Sequence, residues 1–205
     1  MIKKIMALLL LSSLGCASSP EVVYKEANDK VVMLHMINKK GDGVCSGAFI
    51  NSTGDILTCV HCFPEIPKKI FVKMANGEVK LGYLVRLSAI RDLALVSIES
   101  KDRPYFRIGR EVQIGQQVFA FGSPLGLRNS MSVGWVENKF DFDKRLIMHS
   151  SFANPGNSGG PLVDTHGRLV GINEATLMVN ILFPAQGLFL AIDRDTVRDW
   201  LEDRR

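Results

Sequence analysis

The sequence predicts an all-β protein, with six strands on each side of a linker at 101–110 that suggest two six-stranded β-barrels. Short apolar runs with β-type composition recur from Val31 onward and are separated by turn-forming Gly, Asn, Pro and Ser. Long amphipathic helical stretches are absent until the C-terminal end. Many short, evenly spaced strands favour a barrel or a sandwich over a parallel α/β sheet, and periodicity alone leaves those two open.

Twelve segments fit strands in this pattern. Before the linker they are 31–37, 44–50, 55–60, 69–74, 80–85 and 93–98, and after it 113–121, 130–136, 145–149, 160–163, 168–172 and 187–191. One closing helix is expected within 193–205, because Asp193 suits an N-cap and Val197, Trp200 and Leu201 form an i, i+3, i+4 apolar stripe.

Composition places the chain among ordinary globular proteins and argues against nucleic acid as a partner. Of its 205 residues, 46% are hydrophobic and 22% are charged, which does not match a disordered chain. The formal charge is only +4, and no basic stripe is interleaved with aromatic residues. We therefore expect no nucleic-acid partner.

Residues 1–16 read as an export signal. Lys3 and Lys4 form a positive region before the apolar run 5–11, which is far shorter than the roughly 20 residues that span a bilayer. Ser13-Leu14-Gly15-Cys16 resembles a bacterial lipobox, in which Cys16 would carry the lipid and 17–29 would act as a tether. The alternative is ordinary cleavage near Ala17. The protein is expected to be exported, in the periplasm or outside the cell, with the membrane contacted only through that lipid.

Ser158 is the candidate nucleophile, in the block Gly156-Asn157-Ser158-Gly159-Gly160-Pro161. A nucleophilic serine needs an exposed tight turn with backbone N–H groups that can receive an oxyanion, and flanking glycines permit both. An α/β-hydrolase would place its acid and then its histidine after the serine. The histidine that follows is His166, which lies in an apparent hairpin turn, so that interpretation fails.

His61 is the candidate base and Asp92 its orienting carboxylate. His61 directly follows an apolar strand, and Asp92 directly precedes another, so both side chains would emerge at strand ends. Such a base needs a carboxylate on its second ring nitrogen. His35, inside a strand, and His149, at a strand end, fit structural roles better. The order His, Asp, Ser along the chain is that of chymotrypsin.

These residues resemble the chymotrypsin-like peptidases and, within them, the bacterial HtrA group. The motifs that carry the resemblance are Thr58-Cys59-Val60-His61, Asp92-Leu93-Ala94, Gly122-Ser123-Pro124-Leu125-Gly126, the nucleophile block and Gly171-Ile172-Asn173. The resemblance runs from about Val31 to Leu201 and implies two antiparallel barrels, over 30–108 with His61 and Asp92 and over 109–192 with Ser158. A PDZ domain, typical of many HtrA proteins, is not expected, because little sequence follows the predicted helix.

The resemblance also implies roles for residues around the nucleophile. The N–H groups of Gly156 and Ser158 would form the oxyanion hole, with help from Asn157, and a substrate would add as a strand along Gly171, Ile172 and Asn173. Phe152 would be the floor of the primary specificity pocket and favour apolar side chains. No metal or organic cofactor is called for. Proteins or peptides are the expected partners, and assembly into a homo-oligomer is compatible with the group.

The cysteines resemble those of animal chymotrypsins. Cys45 and Cys62 occupy the positions where such enzymes staple the histidine loop, which implies a Cys45–Cys62 disulfide and leaves Cys59 as a buried thiol. A metal site at Cys59, His61 and Cys62 is the alternative, although it would consume the base and lacks a fourth ligand at known zinc spacing.

The function expected from the sequence is a serine endopeptidase that cleaves by acyl transfer, with His61, Asp92 and Ser158 as its triad. The alternative is a binding or chaperone module with the same fold and a latent site.

Overall fold

The computed structural model describes residues 18–39, 41–127, 129–152, 154–176 and 189–203. Over these residues it has two closed, antiparallel six-stranded barrels, which confirms the predicted fold class. The first barrel contains β1 (Val31–Ile37), β2 (Gly43–Phe49), β3 (Asp55–Cys59), β4 (Lys69–Met74), β5 (Val79–Ser88) and β6 (Leu93–Ser97). The second contains β7 (Gln117–Gly122), β8 (Ser130–Asp141), β9 (Arg145–His149), β10 (Pro161–Val163), β11 (Leu169–Thr176) and β12 (Phe189–Asp193).

Both barrels close in the same way. The first runs β1-β2-β3-β6-β5-β4 and the second runs β10-β11-β12-β9-β8-β7 around the circle. Closure leaves no free sheet edge along most of each strand. Side chains such as Leu34, Leu57 and Ile147 point inward and are fully buried, each contributing roughly 1.5–3 kcal/mol through removal of apolar surface from water.

The segment expected to be a tether contains a docked helix. Helix α1 (Pro20–Ala27) begins after Ser19, whose side chain accepts a hydrogen bond from the Val22 N–H, and Pro20 suits the first helical position. Val23 and Ala27 are fully buried, and the Tyr24 ring stacks on Phe121 with centroids 6.1 Å apart. This segment is therefore part of the folded body. Cys16 and the export signal lie outside the described residues.

The linker and the closing helix α2 (Arg194–Glu202) tie the barrels together. In the linker the Phe106 N–H donates to the Phe49 carbonyl at 2.9 Å, and the Phe106 ring is buried. Asp193 caps α2 by accepting from the Asp195 N–H at 2.7 Å, at the residue where the sequence predicted the cap. Trp200 of α2 is buried beneath the Arg86 guanidinium, which lies 4.5 Å from the ring centroid.

Three strands are longer than the sequence indicated, and one of them is β11, which was predicted over 168–172 and extends to Thr176. Strand β5 extends to Ser88 and β8 extends to Asp141, so that β8 and β9 form a tight hairpin with Asp141 opposite Arg145. In the part of the chain that is described, no helix has the length and apolar character needed to cross a membrane.

Candidate active site

His61 lies on a short 3-10 turn, Val60–Cys62, that follows β3. The turn is held from two directions. The Val60 N–H donates to the Asp92 carbonyl at 3.1 Å, and a disulfide joins Cys62 to Cys45 on β2, which is the pair that the resemblance implied. His61 is therefore fixed at the rim of the first barrel, where its side chain remains 43% exposed.

Both carboxylate oxygens of Asp92 accept hydrogen bonds from His61. Its Oδ2 accepts from Nδ1 of His61 at 2.7 Å, and its Oδ1 accepts from the His61 backbone N–H at 2.9 Å. Asp92 adopts a left-handed φ of 53°, a conformation that Asp tolerates better than most residues. The strained turn before β6 thus aims a nearly buried carboxylate at the imidazole.

This contact shifts both groups in opposite directions. The hydrogen bond to Asp92 raises the pKa of His61 above its ordinary value of 6.5, because the carboxylate stabilises the imidazolium. Burial alone would raise the pKa of Asp92, but its hydrogen bonds with His61 outweigh burial and lower the pKa below 3.8. Asp92 is therefore ionised at neutral pH, and Nε2 of His61 is free to act as a base when the ring is neutral.

Ser158 lies in a loop whose glycines are required by close packing. Gly156 has φ of 103°, and a Cβ there would come within 2.4 Å of the Ser123 carbonyl oxygen. Gly159 has φ of 82°, and a Cβ there would come within 2.0 Å of Oγ1 of Thr58, across the boundary between the barrels. No other residue type could occupy these positions without displacing backbone.

Ser46, on β2 of the first barrel, anchors the Ser158 loop. Its Oγ donates to the Gly156 carbonyl at 2.7 Å and accepts from the Ser123 N–H at 2.8 Å, while its own N–H donates to the Ser158 carbonyl at 2.8 Å. The sequence analysis did not single out Ser46, because nothing local marks a serine after a cysteine. Its partners lie 77 and 110 residues away in the chain.

Backbone contacts fix the remaining peptides of the loop. The Pro155 carbonyl accepts from the Leu125 N–H at 2.9 Å, and the Asn157 carbonyl accepts from the Gly160 N–H at 2.9 Å. Because each carbonyl opposes the N–H of the next residue, these bonds also set the directions of the Gly156 and Ser158 N–H groups. Within the described residues, neither of those two N–H groups has an acceptor.

The predicted contribution of Asn157 to the oxyanion hole is wrong. Its backbone N–H donates to the Asn154 carbonyl at 2.9 Å, and its side-chain Nδ2 points to the Phe152 carbonyl at 3.4 Å. Asn157 is buried, and its backbone N–H and one side-chain N–H are directed at carbonyls of the loop. Two donors remain for an oxyanion, from Gly156 and Ser158.

The Ser158 hydroxyl is in the same cleft as His61 but is turned away from it. The Ser158 carbonyl oxygen lies 3.9 Å from the Cys62 sulfur, directly beside the His61 turn. Among the described residues, Oγ of Ser158 donates to the Glu174 carbonyl at 3.0 Å rather than to the imidazole. Glu174 in turn forms a largely buried ion pair with Lys144 of the β8–β9 hairpin.

The predicted substrate strand at Gly171, Ile172 and Asn173 is wrong in its position. Ile172 pairs with Pro161 on one side and with Ile192 on the other, and Gly171 likewise has a neighbour on each side. A strand with both edges paired cannot accept another. The pairing with β10 ends before Glu174, so among the described residues the edge without a paired strand is the end of β11, from Glu174 to Thr176.

Phe152 does not form the floor of a pocket, contrary to prediction. Its side chain is 66% exposed, and its ring contacts Phe189 with centroids 5.9 Å apart. His149 also contacts Phe189 and is fully buried, and burial lowers the pKa of His149 to about 4, so that the ring is neutral at pH 7. A floor residue would have to be covered, and the spacing of six before Ser158 did not establish burial.

The alternative metal site at Cys59, His61 and Cys62 does not fit. Cys62 is bonded to Cys45, so it offers no thiolate. Cys59, His61 and Asp92 do have ligand atoms within 4.8 Å of one another. However, burial raises the pKa of the Cys59 thiol well above 9.0, and the facing atoms of His61 and Asp92 are already joined by a hydrogen bond.

A family model and curated protease sequences match this chain. The model of the trypsin-like peptidase domain matches residues 45–172. A putative serine protease HhoB of Synechocystis sp. is 33% identical over 172 residues, which is 78% of this chain and 40% of the relative. A probable periplasmic serine endoprotease DegP-like of Chlamydia muridarum is 32% identical over 143 residues, 65% of this chain and 29% of the relative. The chain thus spans less than half the length of these curated relatives.

Solved structures of proteases superpose on this fold. An HtrA-type protease AlgW with tripeptide superposes with a TM-score of 0.83 at 26% identity, covering 90% of this chain and 62% of that one. A serine endoprotease from Yersinia pestis superposes with a TM-score of 0.81 at 27% identity, covering 90% and 66%.

Proposed function

Because this chain belongs to the trypsin-like peptidase domain family, we propose that it is a serine endopeptidase in which His61, Asp92 and Ser158 form the catalytic triad. The observation that carries the proposal is the pair of hydrogen bonds from His61 to Asp92, beside a serine loop in which two N–H groups have no acceptor among the described residues. A base with a fixed tautomer, a hydroxyl and paired N–H donors are the parts that acyl transfer requires.

The first step is the transfer of the Ser158 proton. Rotation about the Cα–Cβ bond moves the hydroxyl from the Glu174 carbonyl toward Nε2 of His61, a side-chain change on the picosecond-to-nanosecond scale. Hydrogen bonds of this kind are often absent without substrate and form in the complex. Ser158 then attacks the peptide carbonyl while His61 takes its proton, and Asp92 stabilises the imidazolium.

The following steps use the same groups. The N–H groups of Gly156 and Ser158 receive the oxyanion of the tetrahedral intermediate. His61 gives its proton to the leaving amine, and the C–N bond breaks to leave an acyl-enzyme. Water, deprotonated by His61, then adds to the ester carbonyl. The C–O bond to Ser158 breaks, His61 returns the proton to the Ser158 oxygen, and the acid is released.

The substrate would add as a strand along the open edge from Glu174 to Thr176. A backbone N–H of the substrate can take the Glu174 carbonyl as its acceptor, which would release the Ser158 hydroxyl. The uncharged aromatic pair of Phe152 and Phe189 near the nucleophile loop supports a preference for apolar over basic side chains on the acyl side.

The cellular setting belongs to the same proposal. The leader composition and the periplasmic name of the Chlamydia muridarum relative support export to the periplasm or beyond the cell. Lipidation at Cys16 would anchor the protein in a membrane. The docked helix α1 places the start of the folded body within a few residues of that anchor, and assembly into a homo-oligomer remains part of the proposal.

A second candidate is a binding or chaperone module on the same fold. The observation that favours it is the bond from Ser158 to Glu174, which leaves the hydroxyl without contact to the base. A module of this kind would bind unfolded peptides along Glu174–Thr176 without cleaving them.

Labelling with a fluorophosphonate probe separates the two candidates. The probe reacts with an activated serine, so the wild type should be labelled and should cleave denatured casein. Ser158→Ala should fold normally and do neither. Ser151→Ala is the matched control, because that serine is fully buried near the same loop with no partner for its hydroxyl among the described residues. A wild type that binds casein but is neither labelled nor active would refute the endopeptidase proposal.

A further inference from the structure

A cavity of about 490 Å³ opens beside His61 and is lined entirely by residues of the first barrel. His61 and the Cys62 end of the disulfide form one wall, and Met36, Asn38 and residues 41–45, from the end of β1 and the start of β2, form another. No described residue of the second barrel lines it. The cavity is therefore separate from the open edge of β11 and from the Ser158 loop.

This placement assigns the cavity to the leaving-group side of the cleft. On the proposed mechanism the acyl side of the substrate lies along Glu174–Thr176, in the second barrel. His61 must give its proton to the amine that leaves, so the residues after the scissile bond depart past His61 on the side away from that strand. The cavity wall includes His61 and, among the described residues, none from the second barrel, so we assign the cavity to that side.

The walls of the cavity combine an apolar base with hydrogen-bond acceptors. Met36, Val44 and Pro64 supply apolar surface. Asp42 and Glu65 supply carboxylates. One oxygen of Asp42 contacts His35 at 3.2 Å, and one oxygen of Glu65 accepts from the Lys39 N–H at 2.6 Å. Among the described residues, the second oxygen of each has no hydrogen-bond donor.

The described lining of the cavity carries acidic side chains. Over the residues that the structure describes, no Lys or Arg side chain lines the cavity. A cationic group is therefore better suited to this wall than an anionic one.

We propose that this cavity is the subsite for the residue that follows the scissile bond, or the next one, and that it selects Lys or Arg. The apolar base suits the aliphatic stem of those side chains, and the Asp42 and Glu65 carboxylates suit the cationic head. This inference rests on the proposed endopeptidase function and adds a substrate class to it: polypeptides with a basic residue just after the cleaved bond.

Quenched fluorescent peptides provide the test. They copy a site that the enzyme cuts in denatured casein and differ in one residue after the cleaved bond, which is Lys, norleucine or Glu. Norleucine keeps the stem of Lys without its charge. For the wild type we expect kcat/KM to be about three- to tenfold higher for Lys than for norleucine and lowest for Glu, since exposed carboxylates act through a screened interaction. The Lys advantage should shrink in 0.5 M salt, a prediction based on screening at roughly 3–10 Å.

Variants assign the effect to the cavity. The double variant Asp42→Asn with Glu65→Gln should bring the Lys-to-norleucine ratio close to one, because it lowers kcat/KM for the Lys peptide more than for the norleucine peptide. Asp102→Asn is the control, because Asp102 is an exposed acid in the linker with a left-handed φ of 55° that Asn also tolerates. It should keep the wild-type ratio.

Two results would overturn the inference alone: a wild type that cleaves the norleucine peptide as well as the Lys peptide, or a Lys advantage that survives in the double variant. Both leave cleavage itself intact. Absence of cleavage of every peptide, together with absence of probe labelling at Ser158, would instead refute the endopeptidase function and this inference with it.

Discussion

Substitution of Ser46 tests whether the first barrel sets the geometry of the oxyanion hole. Ser46→Ala removes an Oγ that is fully buried and joins the Gly156 carbonyl to the Ser123 N–H. It keeps the backbone bond from the Ser46 N–H to the Ser158 carbonyl. The substitution therefore removes one hydrogen bond that orients the Gly156–Asn157 peptide group. The backbone bond to Ser158 still holds the loop against the first barrel.

The magnitude follows from the two backbone groups that lose their partner. A buried polar group left unpaired costs about 1–3 kcal/mol, so the free energy of unfolding should fall by about 2–4 kcal/mol after partial relaxation. For a chain of this size the Tm should fall by about 2–4 °C for each kcal/mol. Loss of one oxyanion donor costs roughly 10²–10³ in kcat, so a displaced donor should lower kcat by about 10- to 100-fold with KM almost unchanged.

The assay measures Tm, kcat and KM for Ser46→Ala beside Ser151→Ala. Ser151 is equally buried, but no described residue bonds to its hydroxyl, so its removal should leave stability and kcat close to the wild type. If Ser46→Ala loses stability but keeps kcat within twofold of Ser151→Ala, Ser46 is structural and does not position the oxyanion loop. If both variants behave alike in every measurement, the hydrogen bonds of the Ser46 hydroxyl contribute neither to stability nor to catalysis.

Two further predictions concern the His61 turn. The contact with Asp92 raises the pKa of His61, and His61 must be neutral to act as a base. The value of kcat/KM should therefore rise with pH through a midpoint above 6.5. Asp92→Asn should lower that midpoint and reduce kcat by roughly 10⁴. A pH profile whose midpoint is the same in both proteins would contradict this reading. Replacing Cys45 and Cys62 together by Ser should lower the free energy of unfolding by roughly 3 kcal/mol, given a 17-residue separation, and urea unfolding measures it. A loss below about 1 kcal/mol would show that the Cys45–Cys62 disulfide contributes little to the free energy of unfolding.

The fold was predictable because strand signals are local. Alternating apolar residues and turn-forming Gly, Asn and Pro depend on near neighbours in the sequence, and each of the twelve predicted segments that lies in the described residues overlaps an observed strand. Helix α1 was missed because an eight-residue helix is marginal alone and is stabilised by packing. Its stabilising contact, Tyr24 on Phe121, joins residues almost a hundred positions apart.

The candidate site was predictable in its residue types and less so in its contacts. The order of His61, Asp92 and Ser158 and the glycines around the serine are properties of the sequence. Which edge of a strand is open is a property of pairing, so the sequence could not show that Gly171 and Ile172, in the segment that the resemblance implied, have strands on both sides. Likewise, spacing placed Phe152 near the nucleophile but could not show that its ring is exposed.

The nucleophile motif therefore carries information about the interface between the barrels as well as about its own loop. Gly159 permits a left-handed turn, but its missing Cβ also lets the second barrel approach Thr58 and the Ser46 carbonyl of the first, where a Cβ would lie within 2.0 and 2.4 Å of oxygen atoms. Thr58 Oγ1 itself donates to the Ser46 carbonyl at 2.8 Å. Because the Ser46 Oγ bonds to Gly156, any change that separates the barrels at Gly159 must also pull on the oxyanion loop. The docking of the barrels and the alignment of the site are thus one structural event.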